Sequence, residues 1–166
     1  DAGDPKARQS LGYLPENPYF YHHLSGWDTL LFCGQASDMK KKAIRERGKE
    51  LLTTLRLIEA AERPVRSYSK GMTQRLGLAC ALIHDPEILV LDEPMSGLDP
   101  IGRHLVASLI AGLKEQGRTI FMCSHILSDI ERLCDRVGVI HQSRLQFTGT
   151  VAAMLAGETD IEQAFL

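Results

Sequence analysis

The stretch Ile88-Leu89-Val90-Leu91-Asp92-Glu93-Pro94 decides how this chain folds. Four consecutive apolar residues are too few for a helix and read as a strand covered on both faces. Two carboxylates and a proline then end the run. Upstream, residues 72–84 place Leu76, Ala79, Leu82 and Ile83 on one helical face, and Asp85-Pro86 stops that helix. Downstream, Asp99-Pro100 is a helix start, a cap followed by proline at the first helical position. The helix runs to about Gln116, and Gly117 closes it. Residues 119–123 read as a second buried strand, Ser128 begins another helix, and residues 137–140 read as a third strand. A short strand over 145–148 follows a polar turn. Strand, helix, strand, helix, strand at this spacing predicts an α/β domain, a parallel sheet with helices on its faces.

The N-terminal third has a different texture. Residues 11–14 form a short apolar run ended by Pro15. Asn17, Pro18 and the aromatic residues 19–21 read as a loop. A modest helix is expected over 24–34. A stronger one is expected over 37–61, where Ile44, Leu51, Leu55 and Ile58 recur at helical spacing. Pro64 breaks this region, which does not alternate with strands and reads as an inserted helical subdomain. The expected organisation is a helical part over 24–84, a core over 85–149 and a tail over 150–166 with two short helices.

Composition narrows the function classes. With 166 residues and 44% apolar content, the chain is long enough for one domain with a substantial core. Its 19 Lys+Arg against 21 Asp+Glu give no basic excess, which argues against a nucleic-acid partner. Four cysteines (Cys33, Cys80, Cys123, Cys134) lack paired spacing and read as small core residues in a reducing compartment. No apolar run approaches the roughly 20 residues of a membrane span, and no signal peptide is visible. Any membrane link is expected to go through a partner. The absence of an initial methionine suggests a fragment or a processed N-terminus.

In a parallel sheet, ligands sit at the carboxyl ends of the strands. Two places qualify: Asp92-Glu93 after one strand and Ser124-His125 after the next. Adjacent carboxylates at a strand end suit divalent-metal chemistry, one holding Mg²⁺ through water and the other polarising an attacking water. A histidine at the neighbouring strand end could contact a transferred phosphate.

The linked motifs Tyr68-Ser69-Lys70-Gly71-Met72-Thr73-Gln74-Arg75, the strand with Asp92-Glu93-Pro94, Ser96-Gly97-Leu98-Asp99-Pro100 and His125 resemble the ABC ATPase family in order and spacing. The resemblance runs over residues 12–149 and implies a P-loop-NTPase-like fold that takes ATP and Mg²⁺. It places Ser69, Lys70 and Gly71 in the signature loop. There a capped helix N-terminus aims backbone N–H groups at an anion, and Gly71 admits close backbone approach. Asp92 matches the metal-binding Walker B aspartate, Glu93 the glutamate that positions or deprotonates water, Asp99 the D-loop aspartate and His125 the switch histidine. Glu16 falls where the family has its Q-loop glutamine; glutamate keeps an oxygen for Mg²⁺ and adds a charge. Tyr68, Lys70 and Met72 depart from the family's Leu-Ser-Gly-Gly-Gln.

No GxxxxGK[ST] phosphate loop occurs in this sequence. In the family it precedes the Q-loop, and residues 1–3 resemble the segment just upstream of the Q-loop. The resemblance implies the ATPase subunit of a transporter, with transmembrane permease subunits and a second ATPase domain as partners. It would lie on the cytoplasmic face of the membrane, held there by the permease. Residues 12–16 and 69–72 look more like exporter-type or bacitracin-, polysaccharide- or motility-type ATPases than nutrient importers. Two alternatives stand beside this: a non-transport ABC ATPase, and an inert remnant because the phosphate loop is missing. The repair and chromosome types are disfavoured, because only about fifty residues, without sustained heptads, separate the Q-loop from the signature. For the chain by itself, very weak nucleotide binding and no useful hydrolysis are expected.

Overall fold

The computed structural model describes residues 9–155, so the expectations for residues 1–3 and for the end of the tail lie outside it. The chain divides into two compact units, residues 1–123 and 124–166.

In the first unit, β1 (Leu11–Leu14), β2 (Ile88–Asp92) and β3 (Thr119–Cys123) form a parallel sheet in the order β1-β2-β3. Leu14 pairs with Leu91, and Asp92 with Cys123, so all three carboxyl ends share one edge. Leu14, Leu89 and Leu91 on one face are fully buried. Helix α3 (Lys70–Leu82) covers that face, coming so close at Gly77 that a Cβ there would lie 2.7 Å from the Leu14 side chain. The opposite face carries Leu11, Tyr13, Ile88 and Phe121, all exposed. Among the described residues β2 is thus covered on one face, not two, because its side chains alternate across a sheet with helical cover on that side only.

Helix α1 (Gly26–Ala36) opens with a reciprocal cap. The Asp28 N–H donates to Ser25 Oγ (3.1 Å), while the Ser25 hydroxyl (2.7 Å) and N–H (3.2 Å) donate to the Asp28 carboxylate and hold its pKa below the usual value. Helix α2 (Lys41–Thr54) is shorter than its pattern predicts. The chain leaves the helix at Leu55, Arg56 takes φ 53°, and a 3₁₀ turn, Ile58–Ala60, follows. Past the bend both Leu55 and Leu57 are fully buried, as are Leu30, Ile44 and Leu52. Helix α4 (Pro100–Glu115) follows the sequence reading. Asp99 caps it by accepting from the Gly102 N–H at 2.8 Å, and Val106, Ala107, Ile110 and Leu113 form its buried stripe.

The second unit holds α5 (Leu127–Leu133), the strands β4 (Arg136–His141) and β5 (Arg144–Thr150), and α6 (Val151–Leu155). Strands β4 and β5 pair with each other, antiparallel, so β4 is not a further parallel strand. The cause is local. Gln142 and Ser143 both have positive φ (48° and 60°), a two-residue turn that reverses the chain onto itself, whereas parallel pairing needs a long crossover. No helix of the described residues is long and apolar enough to cross a membrane.

Candidate functional site

Asp92 ends β2, half-buried, at the shared carboxyl edge of the sheet. The next residue, Glu93, is also half-buried and adopts φ 46°, left-handed geometry that costs a residue with a Cβ roughly 1 kcal/mol. Hydrogen bonds to its backbone hold it there. Its N–H donates to the Cys123 carbonyl at the end of β3 (3.0 Å), and its carbonyl accepts from the Ser96 N–H (2.9 Å) and from Gln74 Nε2 on α3 (3.1 Å). The Cys123 thiol is pushed above its ordinary pKa by partial desolvation and then by the negative charges of Asp92 and Glu93. Cys123, read from the sequence as a core residue, is exposed because it faces the uncovered side of β3.

The loop that resembles the family's signature is built on the start of α3. Ser69 is its N-cap, accepting from the Met72 N–H at 3.2 Å, and both Ser69 and Lys70 are exposed. The two departures flanking Ser69 have structural reasons. Tyr68 turns into the helical part, where its hydroxyl donates to the Ala60 carbonyl (2.8 Å) and burial raises its pKa. Lys70 lays its aliphatic stem across Gly97, whose φ is +69°; a Cβ on Gly97 would fall 2.6 Å from Lys70 Cδ. Gly71 faces the same loop, with its own hypothetical Cβ 3.1 Å from the Gly97 carbonyl. Thus α3 touches the β2–α4 loop at both Glu93 and Gly97.

Asp99 is exposed and caps α4. Glu16 is exposed, two residues beyond the end of β1 and therefore past the same sheet edge as Asp92. His125 is exposed in the second unit, two residues before α5. Among the described residues, no group of three or more His, Cys, Asp and Glu gathers to hold a metal alone. Mg²⁺ commonly takes one or two protein carboxylates and completes its shell with water and phosphate, so the strand-end pair suits it. The carboxylates at this sheet edge fit a Mg²⁺ ion that is shared with phosphate, and no GxxxxGK[ST] loop occurs in this sequence. A groove of about 730 Å³ along α4, lined by Ile101, His104 and Leu105 among others, includes none of the candidate residues.

Sequence reasoning assigned no role to Gln74. A signal existed: Gln74 shares a face of α3 with Gly77, Leu78 and Ala81, all buried, so a polar residue sits in an apolar stripe.

The sequence model of the ABC transporter family matches residues 2–96. An uncharacterized ABC transporter ATP-binding protein of Synechocystis is 45% identical over 96% of this chain and 46% of its own length. The bacitracin transport ATP-binding protein of Bacillus licheniformis is 44% identical over 81% of this chain and 44% of its own length. The chain therefore spans just under half the length of these relatives. A solved structure of the ATP binding subunit of an ABC transporter superposes with a TM-score of 0.89 at 27% identity, covering 99% of this chain and 70% of that one. The matched segment runs from before β1 through the loop that fixes Glu93, and on that footing the chain belongs to the ABC transporter family, on its ATP-binding side.

Proposed function

We propose that this chain supplies the signature and carboxylate side of a composite ATP site in the energising subunit of a transporter. The observation that carries this is Glu93, fixed by hydrogen bonds in left-handed geometry beside Asp92, with the N-terminus of α3 exposed nearby in the same unit. Asp92, with Glu16, would hold Mg²⁺, which supplies charge neutralisation at the phosphates when bound. Glu93 positions or deprotonates the attacking water; the role of His125 at a terminal phosphate is proposed from its match to the family's switch histidine alone. Ser69, Lys70 and Gly71 present backbone N–H groups to the nucleotide of a second ATPase domain, and Asp99 lies at that same interface. The exposed rings of Tyr19, Tyr21 and Phe32, with Tyr21 packed edge-on to Phe32, suit contact with a permease subunit. Held by such a permease, the assembly would lie on the cytoplasmic face of a membrane. The relatives' names, ATP-binding proteins and subunits of transporters, support the reading.

In a full-length protein of the relatives' size, Glu93→Gln should lower steady-state ATP turnover by roughly 100-fold or more while ATP-driven dimerisation persists. Turnover within twofold of wild type would refute the role given to Glu93.

A further inference from the structure

We infer that Gln74 is a positioning residue for Glu93, holding the carboxylate's backbone from the helix whose N-terminus serves the partner's nucleotide. The inference rests on the reading that Glu93 orients the attacking water. Gln74 is only 2% exposed, and its side-chain N–H donates to the Glu93 carbonyl at 3.1 Å. That carbonyl belongs to a residue at φ 46°, whose N–H is tied to the end of β3 at 3.0 Å. Rotation of this peptide would swing the Glu93 side chain away from Asp92 at the strand end. Gln74 opposes that rotation from a separate element, α3, so the angle at which Glu93 leaves the sheet depends on where α3 sits. The same helix meets the far end of the loop through Lys70 and Gly71 at Gly97. The loop from Glu93 to Gly97 is thus gripped twice by one helix. A shift of the signature loop on meeting a partner's nucleotide is transmitted to the chain's own water-activating residue through one amide.

The test uses full-length protein with MgATP. Gln74→Met keeps length and burial but removes the donor; Gln74→Glu keeps shape and puts an acceptor against the carbonyl. Each should lower kcat roughly tenfold or more, as expected for a small displacement of a catalytic group. KM for ATP and ATP-driven dimerisation should stay within about twofold, because the binding groups are untouched. In a Glu93→Gln background, Gln74→Met should change residual turnover by less than about twofold, since the group it positions is gone. If Gln74→Met does not fold, Gln74→Glu is judged by the same criteria. Wild-type kcat in either variant overturns the inference while leaving Glu93's role intact. So does a fall in kcat and dimerisation with a parallel rise in KM, or full additivity with Glu93→Gln, which would mark Gln74 as structural only. Normal turnover in Glu93→Gln alone would instead sink the reading beneath it.

Discussion

Tyr68 stands where the family's signature loop has leucine, and its hydroxyl explains the substitution. It reaches the Ala60 carbonyl at 2.8 Å and lies directly over Gly26, where any Cβ would overlap it. Tyrosine at 68 and glycine at 26 are therefore one choice made twice. Gly26→Ala should destabilise the chain by about 1–3 kcal/mol through overpacking. In a Tyr68→Phe background, which removes the oxygen, the same change should cost at least about 1 kcal/mol less. Urea unfolding of the four proteins checks this; equal costs in both backgrounds would show that the ring moves freely. None of this could be read from the sequence, because residues 26 and 68 are joined only by the fold. By contrast, the placement of Asp92 and Glu93 at a strand end and of Ser69 at a helix cap was legible, since both are local features. The conformation of Glu93 was not: its positive φ is imposed by β3 and α3, two distant segments.

At the scale of elements, strands and helices from residue 70 to 123 follow the sequence reading to within a few residues. Alternation, proline at the start of α4 and Gly117 (φ 84°) at its end leave little freedom. Helix α2 is the instructive exception. Its apolar spacing continues through Leu55 and Ile58, so periodicity alone cannot end it. Arg75 ends it from outside. Its guanidinium donates to the Leu55 carbonyl (2.6 Å) and the Arg56 carbonyl (3.4 Å) at the end of α2, and to the Gly71 carbonyl (3.2 Å) in its own helix. The Leu55 and Arg56 carbonyls lie at a helix C-terminus, where a cation satisfies them at the negative end of the dipole. Arg75→Met should therefore cost about 2–3 kcal/mol, the worth of charge-assisted hydrogen bonds to otherwise unpaired carbonyls. Chemical denaturation and amide exchange at the end of α2 check this. An unchanged midpoint would mean that water replaces the guanidinium without penalty. Strand β4 was legible as a strand but not in its pairing. A turn of Gln142 and Ser143 carries none of the glycine or asparagine that usually announces paired positive φ.

For the whole molecule, family membership and chemical capacity separate. Membership rests on motifs in register, and the fold agrees. Capacity depends on what surrounds the motifs. The chain holds the carboxylates, a capped helix N-terminus and a buried amide that links them, and its sequence contains no GxxxxGK[ST] loop. Such a loop supplies most of the phosphate contacts in this class of site. The exposed apolar face of the sheet, with Tyr13 and Phe121 at 56% and 62% exposure, shows that cover for this layer is likewise not among the described residues. The most direct measurement is a titration of the 166-residue chain with a fluorescent ATP analogue in the presence of Mg²⁺. Half-saturation is expected no tighter than about 1 mM, about 4 kcal/mol of binding energy, because the sequence contains no GxxxxGK[ST] loop to grip the phosphates. Saturable binding near 1 μM, about 8 kcal/mol, would contradict it.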